Sequence, residues 1–334
     1  MEIGITILLG FIGFGLSPYL AKRLGLIDVP GEHKQHATPT PVIGGLIVWL
    51  VVILQTYTSI QYALVIALII LITTGAYDDR YQTNWFVRIL AQSLASLILV
   101  YSGAKLSYLG NFLGIGPIYL YGFGAGVTYI AFMSLINGHN MLDGIDGLFA
   151  GIGITQLLCL LWLAIPFNPA IVDIQLPVII MLSLFLCWNI SISKPASLFF
   201  GDQGTYALGL WNTYWAIILS QYEGVTPVMM LWVMMWPLFE MLFSLLRRCH
   251  QSKLPTLADR LHLHHLLHAN HASSYVVLFY VTTQFIGFFI GLSACKVSEG
   301  FSFMCFLAFF GAYVKLWNTL YANRTKPNLA SSHF

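Results

Sequence analysis

A chain of 334 residues with 58% hydrophobic and only 8% charged side chains falls far below the roughly 25% charge of an average soluble domain. So few charges exclude a water-soluble globule, and a net charge of +2 is too small to point to nucleic acid as a partner. The five cysteines form no CxxC pair and four lie in apolar runs, which argues for packing, not a disulfide framework or a zinc site.

A membrane-crossing helix needs about 20 mostly apolar residues, and ten or eleven such runs follow along the chain. The first, 2–21, has no basic segment ahead of it, since Glu2 is the only charge before Lys22, and no small-residue cleavage site. It is expected to be a retained span rather than a signal peptide. The loop 22–41 carries Lys34, His36, Pro39 and Pro41 ahead of Gly44-Gly45. Proline sets an extended approach there, although an ordinary Pro-rich connector fits the same residues. Runs 42–58 and 60–76 are closely joined. After them the loop 77–85 places Asp78 beside Asp79. Adjacent carboxylates repel unless a cation or proton relieves them. They suit a Mg²⁺–phosphate site, or a solvated helix end.

Runs 86–103 and 118–136 lead to the loop 137–147, which holds Asn137, Asn140, Asp143 and Asp146 among glycines. Asp143 and Asp146 are three apart, so one helical turn would put both on one face. A simple Asp- and Gly-capped turn does not explain two Asn and two Asp in so short a stretch. Runs 148–165 and 176–192 precede the loop 193–205, where Asp202 stands between glycines, either to cap the next helix or to meet a ligand. Runs 206–222 and 225–246 follow, the second kinked by Pro237. The loop 247–272 is the longest and most polar, with Arg260, His262, His264, His265, His268 and His271. Zinc ligation through His264 and His268 at i, i+4, phosphate recognition by His and Arg donors, and a plain polar surface helix are the three readings. Runs 273–293 and 301–320 complete the chain.

Twelve basic residues lie in or beside one set of alternate loops and the C-terminal tail, against Lys105 and Lys296 in the other set. The positive-inside rule makes the first set cytoplasmic, so the N-terminus is expected to be periplasmic and the C-terminus cytoplasmic. All the conspicuous acids of the loops share that side, while the outer loops read as short and nearly featureless. The mid-span ionisable residues are few, chiefly Glu240 and Lys315. A transporter places such groups along a path through the membrane, so this asymmetry favours an interfacial enzyme. A nucleotide-sugar carrier and a zinc-dependent membrane hydrolase are the rivals. The expectation is an all-α, polytopic helix bundle of a single domain, residues 1–334.

These residues resemble the polyprenyl-phosphate N-acetylhexosamine-1-phosphate transferases. The motif order matches from about residue 25 to 268. Lys34 through Gly45 is similar to the family's KxHxxPxPxxGG stretch, and Asp78-Asp79 to its double Asp. Asn137 to Leu148 meets the specific NxxNxxDGxDGL signature in full. Trp188-Asn189, Pro195-Ala196 and Phe199 to Gly204 resemble FN…PA…FxGDxG. The His262, His264, His265 pattern after Asp259-Arg260 looks more like the GlcNAc branch than the muramoyl branch. Gln82 stands where the family often has a further acid, and Thr205 replaces its serine.

The resemblance implies transfer of a HexNAc-1-phosphate, GlcNAc-1-phosphate first among the candidates, from a UDP-sugar to undecaprenyl phosphate with release of UMP, starting an envelope polysaccharide such as O-antigen. It implies Mg²⁺, or Mn²⁺ in its stead, held by Asp202 with Asp79. It casts Asp78, Asp79, Asp143 and Asp146 as catalytic. It gives Lys34, His36, Asn140, Asn189, Phe199, Arg260, His262, His264 and His265 to substrate binding. A bacterial inner membrane, a site facing the cytoplasm and room for a homodimer belong to the same implication.

Overall fold

The computed structural model describes residues 2–30, 38–190, 196–252 and 261–325. They fold into α-helices and one small β-ribbon. In chain order these are α1 (Glu2–Gly15), α2 (Ser17–Leu24), β1 (Ile27–Asp28), β2 (Thr40–Pro41), α3 (Gly44–Thr56), α4 (Tyr62–Tyr81) and α5 (Trp85–Tyr101). After a longer connecting segment come α6 (Gly124–Asn140), α7 (Leu148–Ala164), α8 (Ile171–Asn189), α9 (Asp202–Leu219), α10 (Pro227–Val233) and α11 (Met235–His250). The chain then forms α12 (Leu263–His268), α13 (Ser273–Cys295) and α14 (Glu299–Thr325).

Each apolar run overlaps one helix or one bent pair. By length and composition α4, α8, α13 and α14 can cross a membrane, and the bent pairs α1–α2 (59°) and α10–α11 (84°) bring the number to six. The chain is an all-α, polytopic membrane protein. Helices α3, α5 and α7 are apolar but shorter, with 13, 17 and 17 residues.

The centre of the bundle is α9. All of its 18 residues except Asp202 and Ile218 are buried, so its Gln203, Thr205, Asn212 and Thr213 face protein rather than lipid. Between membrane helices lipid supplies no hydrophobic driving force, and close packing of small residues takes its place. Gly45 of α3 and Gly204 of α9 show this: a Cβ on Gly45 would run into the Gly204 backbone. Gly75 lets α4 approach Asp202 and Gln203 in the same way. Asn212 donates to Gln156 Oε1 at 2.9 Å, a polar contact that joins α9 to α7.

The break between α10 and α11 has a local cause. Pro237 has no N–H to give the carbonyl four residues back, and α10 ends at that residue, Val233. Gln284 of α13 takes the place of the missing donor, its Nε2 lying 2.7 Å from Trp232 O and 3.2 Å from Val233 O. Irregular backbone at membrane depth is tolerated where protein satisfies it in this way.

Two expectations need correction. Several of the expected loops are largely helix ends: Asp78 and Asp79 lie in the last turn of α4, Asn137 and Asn140 in the last turn of α6, and Asp202 opens α9. The segment between α5 and α6, expected to be an outer loop, is not featureless. Ser107 donates to Gln221 at 2.6 Å, Tyr108 to the Ser220 carbonyl at 3.1 Å, and the Asn111 N–H to Glu299 at 2.6 Å. It straps the start of α14 and the α9–α10 connection together.

Candidate active site

The C-terminal ends of α4, α6 and α8 and the N-terminal ends of α5, α7 and α9 meet at one end of the bundle. There they enclose a cavity of about 820 Å³. Its acidic wall is made by Asp78, Asp79, Asp143, Asp146 and Asp202. Three sequence-distant segments thus converge.

Asp202 is the best supported of these. Gly201, at φ +80, turns the chain into α9, a conformation that costs glycine little. Asn140 donates from Nδ2 to Asp202 Oδ1 at 2.8 Å and to Thr205 Oγ1 at 2.9 Å. The Tyr206 hydroxyl donates to Asp202 Oδ2 at 2.8 Å. Both oxygens are oriented by neutral donors.

Asp79 lies across the start of the same helix. Its Oδ1 accepts from Asp202 N–H at 3.1 Å and its Oδ2 from Gln203 N–H at 3.4 Å. It therefore caps α9 from another helix, satisfying amides that have no partner within the helix. Asp78 accepts from the Thr83 amide at 2.7 Å and from the Thr83 hydroxyl, and its Oδ2 faces Arg88 Nη1 at 3.4 Å.

Asp143, in the turn between α6 and α7, has its carboxyl pushed up to about 7. Asp143 opens to the cavity, and the protein crowded around it is the main cause, with the nearby Asp202 and Asp146 adding to it. Three effects disfavouring charge in one place mean that an added cation would be taken up gladly. Among the described residues no three His, Cys, Asp or Glu side chains converge as a ready-made metal cage. Mg²⁺ does not require one, because it uses one or two carboxylates and completes its shell with phosphate oxygens and water. The hard oxygen donors of the acidic wall fit that ion better than zinc.

The second wall carries His265 and His268. His262 and His264 lie behind it, buried against Glu240. Burial pushes His264 below the ordinary histidine range, against the pull of Glu240. His264 and His268 do not act as a pair: His268 Nδ1 is 3.2 Å from the His271 carbonyl, while His264 Nδ1 is 3.8 Å from Glu240.

The other expected residues fall as follows. Phe199 lines the cavity, and its backbone pairs with the approach to α3: its N–H donates to Pro41 O at 2.9 Å and its carbonyl accepts from Gly44 N–H at 3.0 Å. Asn189 also borders the cavity, but its amide is committed to backbone. Oδ1 accepts from Gly147 N–H at 2.6 Å and Nδ2 donates to Leu198 O at 3.0 Å. It braces the signature turn against the segment that leads to Asp202. Lys34, His36 and Arg260 lie outside the described residues.

Sequence reasoning missed Arg88, Thr83, Thr205 and Tyr206 as site residues. Tyr206 was findable, since it follows Asp202 by four, one helical turn on the same face. Arg88 lines the cavity, yet counted only towards sidedness.

The fold and the cavity define a polytopic helical membrane protein with an acidic pocket at one end of its bundle. The pattern of the family described as glycosyl transferase family 4 matches residues 61–220, which carry every acid of that wall. Undecaprenyl-phosphate alpha-N-acetylglucosaminyl 1-phosphate transferase of Escherichia coli (strain K12) is 30% identical over 262 residues, covering 74% of this chain and 70% of its own. The Yersinia pestis protein of that name is 30% identical over 271 residues, covering 74% and 71%. The probable undecaprenyl-phosphate N-acetylglucosaminyl 1-phosphate transferase of Bacillus subtilis (strain 168) is 28% identical over 296 residues, covering 82% and 78%. The chain belongs to glycosyl transferase family 4.

Proposed function

We propose that this protein transfers N-acetylhexosamine-1-phosphate from a UDP-sugar to undecaprenyl phosphate and releases UMP. The observation that carries the reading is the convergence of Asp78–Asp79, Asp143–Asp146 and Asp202 on one cavity at one end of a membrane bundle. The names of the relatives supply the acceptor and favour UDP-GlcNAc as donor.

An oxygen of the lipid phosphate attacks the phosphorus attached to the sugar. The bond from that phosphorus to the UMP oxygen breaks, and UMP carries away the electron pair. A phosphate monoester has a second pKa near 6, so at neutral pH the nucleophile is already mostly a dianion and needs no strong base. The protein's task is to bring two anions together and to steady the charge that grows on UMP. Asp202, with Asp79 beside it, would hold Mg²⁺, or Mn²⁺ in its place, and the bound ion would neutralise phosphate charge. Asn140 and Tyr206 keep the Asp202 carboxylate aimed. Asp143 and Asp146 bind on the uridine side, and Phe199 offers its ring to the base. Arg88 and His265 are the described cations and donors facing the phosphates.

The same reading gives eleven spans with the bent pairs each counted once, residue 2 on the periplasmic side and residue 325 in the cytoplasm. It makes residues 1–334 one transferase domain in the bacterial inner membrane, serving envelope polysaccharide synthesis such as O-antigen. A homodimer is compatible with it.

The test is purified protein with Mg²⁺ and undecaprenyl phosphate, offered a panel of UDP-sugars while UMP and lipid-linked product are followed. UMP release matched by lipid-diphosphate-sugar, fastest with UDP-GlcNAc, is expected. Uptake of intact nucleotide sugar into sealed vesicles without UMP release would replace the transferase by a carrier.

A further inference from the structure

Behind the histidine wall is a buried polar knot that the chemistry above leaves unused. Glu240 stands in the second turn of α11, just past the 84° break, and is 1% exposed. Its Oε2 lies 2.9 Å from His262 Nδ1. Its Oε1 accepts the Tyr280 hydroxyl at 3.0 Å and lies 3.8 Å from His264 Nδ1. His262 is the N-cap of α12, His264 is in its first turn and Tyr280 is on α13. One carboxylate from α11 therefore gathers two further helices.

This arrangement is an expensive way to hold helices together. An ionisable group at membrane depth is costly and is a functional candidate by default. A buried ion pair often stabilises no more than apolar side chains of the same size would. Packing alone would have been served by a leucine. What the charge adds is direction: a carboxylate can only accept, so it selects the face of His262 that carries the Nδ1 proton.

The consequence reaches the cavity in two steps. The His262 and His264 rings lie nearly parallel, 7° apart at 5.7 Å, and the His264 and His265 centroids are 4.2 Å apart. A Cβ on Gly144 would lie 3.0 Å from His264 Nε2 and 2.7 Å from His265 Cε1. The two rings thus press directly on the turn that bears Asp143 and Asp146, and His265 lines the cavity.

We propose that Glu240 is a positioning residue for the donor's diphosphate. By accepting the Nδ1–H of His262 and the hydroxyl of Tyr280, it locks α12 against α11 and α13 and sets His265 at the cavity wall. This rests on the transferase reading above, with His265 as a phosphate donor group. Glu240 itself touches no substrate.

The experiment compares wild type with Glu240→Gln, Tyr280→Phe, His265→Ala and the Glu240→Gln/His265→Ala double variant. UMP release is measured with separate KM values for UDP-GlcNAc and undecaprenyl phosphate, alongside UDP-GlcNAc binding by calorimetry. Glutamine keeps the size and one acceptor, so the fold should survive. Glu240→Gln is expected to raise the donor KM about 10–100-fold, the loss typical of removing a group that orients a ligating histidine. The acceptor KM should stay within about threefold, and the double variant within about threefold of His265→Ala alone, as coupled residues require. Tyr280→Phe, which removes one of the two holds, should move the same constant less. An unchanged donor KM in Glu240→Gln, an equal rise in both KM values, or losses that multiply in the double variant would each overturn the positioning role. If wild type neither binds UDP-GlcNAc nor releases UMP, the transferase reading fails first and takes this inference with it. An active wild type with an indifferent Glu240→Gln sinks this inference alone.

Discussion

The two walls of the cavity are built on opposite principles. The acidic wall gathers Asp78, Asp79, Asp143, Asp146 and Asp202 with Arg88 as the cation facing Asp78. Carboxyl groups are left in excess, and their crowding raises the pKa of Asp143. The histidine wall is braced from behind, because Glu240 sits directly against His262 and His264. On the proposed reading, one wall is completed by a cation, and the other is assembled in advance. That division suits a reaction that joins two phosphate-bearing substrates: a metal-bridged anion on one side, fixed donors on the other.

The sharpest way to break this comparison is to remove the cation's holder. Asp202→Asn should lower Mg²⁺-dependent turnover by roughly 10²–10³-fold, the scale on which preorganised electrostatic groups act, while UMP-release assays on the histidine-wall variants show mainly a KM effect. Full turnover in Asp202→Asn would end the metal assignment. Chelation separates the walls next. EDTA should stop UMP release and excess Mg²⁺ should restore it, whereas a zinc-selective chelator should leave the rate unchanged. Inhibition by the zinc chelator with indifference to Mg²⁺ would turn the histidine wall into the metal centre.

Smaller effects test how the acidic wall is held. Asp79→Ala removes the cap from the first amides of α9 and should destabilise the protein by about 1 kcal/mol, read as a lower melting temperature. An unchanged melt would mean that the cap is idle. The weakest effect is on pH. The Asp143 carboxyl is raised from 3.8 to about 7, so the folded state holds its proton more tightly than the unfolded chain does. Its contribution to stability is complete below the unfolded value and is lost as pH rises through about 7. Metal-free protein should therefore melt higher at about pH 5 than at about pH 8, and Mg²⁺ should raise the melt more at the higher pH. A larger Mg²⁺ effect at the lower pH would contradict that order.

Much of this was legible in the sequence, and the reasons differ from place to place. The apolar runs announced the helices because lipid-facing and bundle-facing residues are both apolar. Asn140, Asp143, Asp146 and Asp202 announced the cavity because polar side chains among glycines are rare where a chain is otherwise apolar. The boundaries were harder to see. Asp78 and Asp79 lower hydropathy at the end of α4 without ending the helix, so a helix end looked like a loop. Glu240 stood out as a mid-span charge, but its partners His262 and Tyr280 come from 22 and 40 residues further on. Asn189 carried the mark of a ligand residue and turned out to brace two backbone segments, a role visible only once Gly147 and Leu198 are brought to it. The strap between α5 and α6 was missed because backbone groups make some of its bonds, and backbone bonds leave no signature in side-chain identity.

The claim on which the rest depends is that the acidic wall holds a divalent cation through Asp202 and shares it with the donor's diphosphate. Electron paramagnetic resonance of Mn²⁺ added to the purified protein tests this directly. One tightly held Mn²⁺ is expected in wild type, with a spectrum that changes when UDP-GlcNAc is added and a signal that is lost in Asp202→Asn. Equal Mn²⁺ binding by wild type and Asp202→Asn, or a wild-type spectrum blind to the nucleotide sugar, would contradict it.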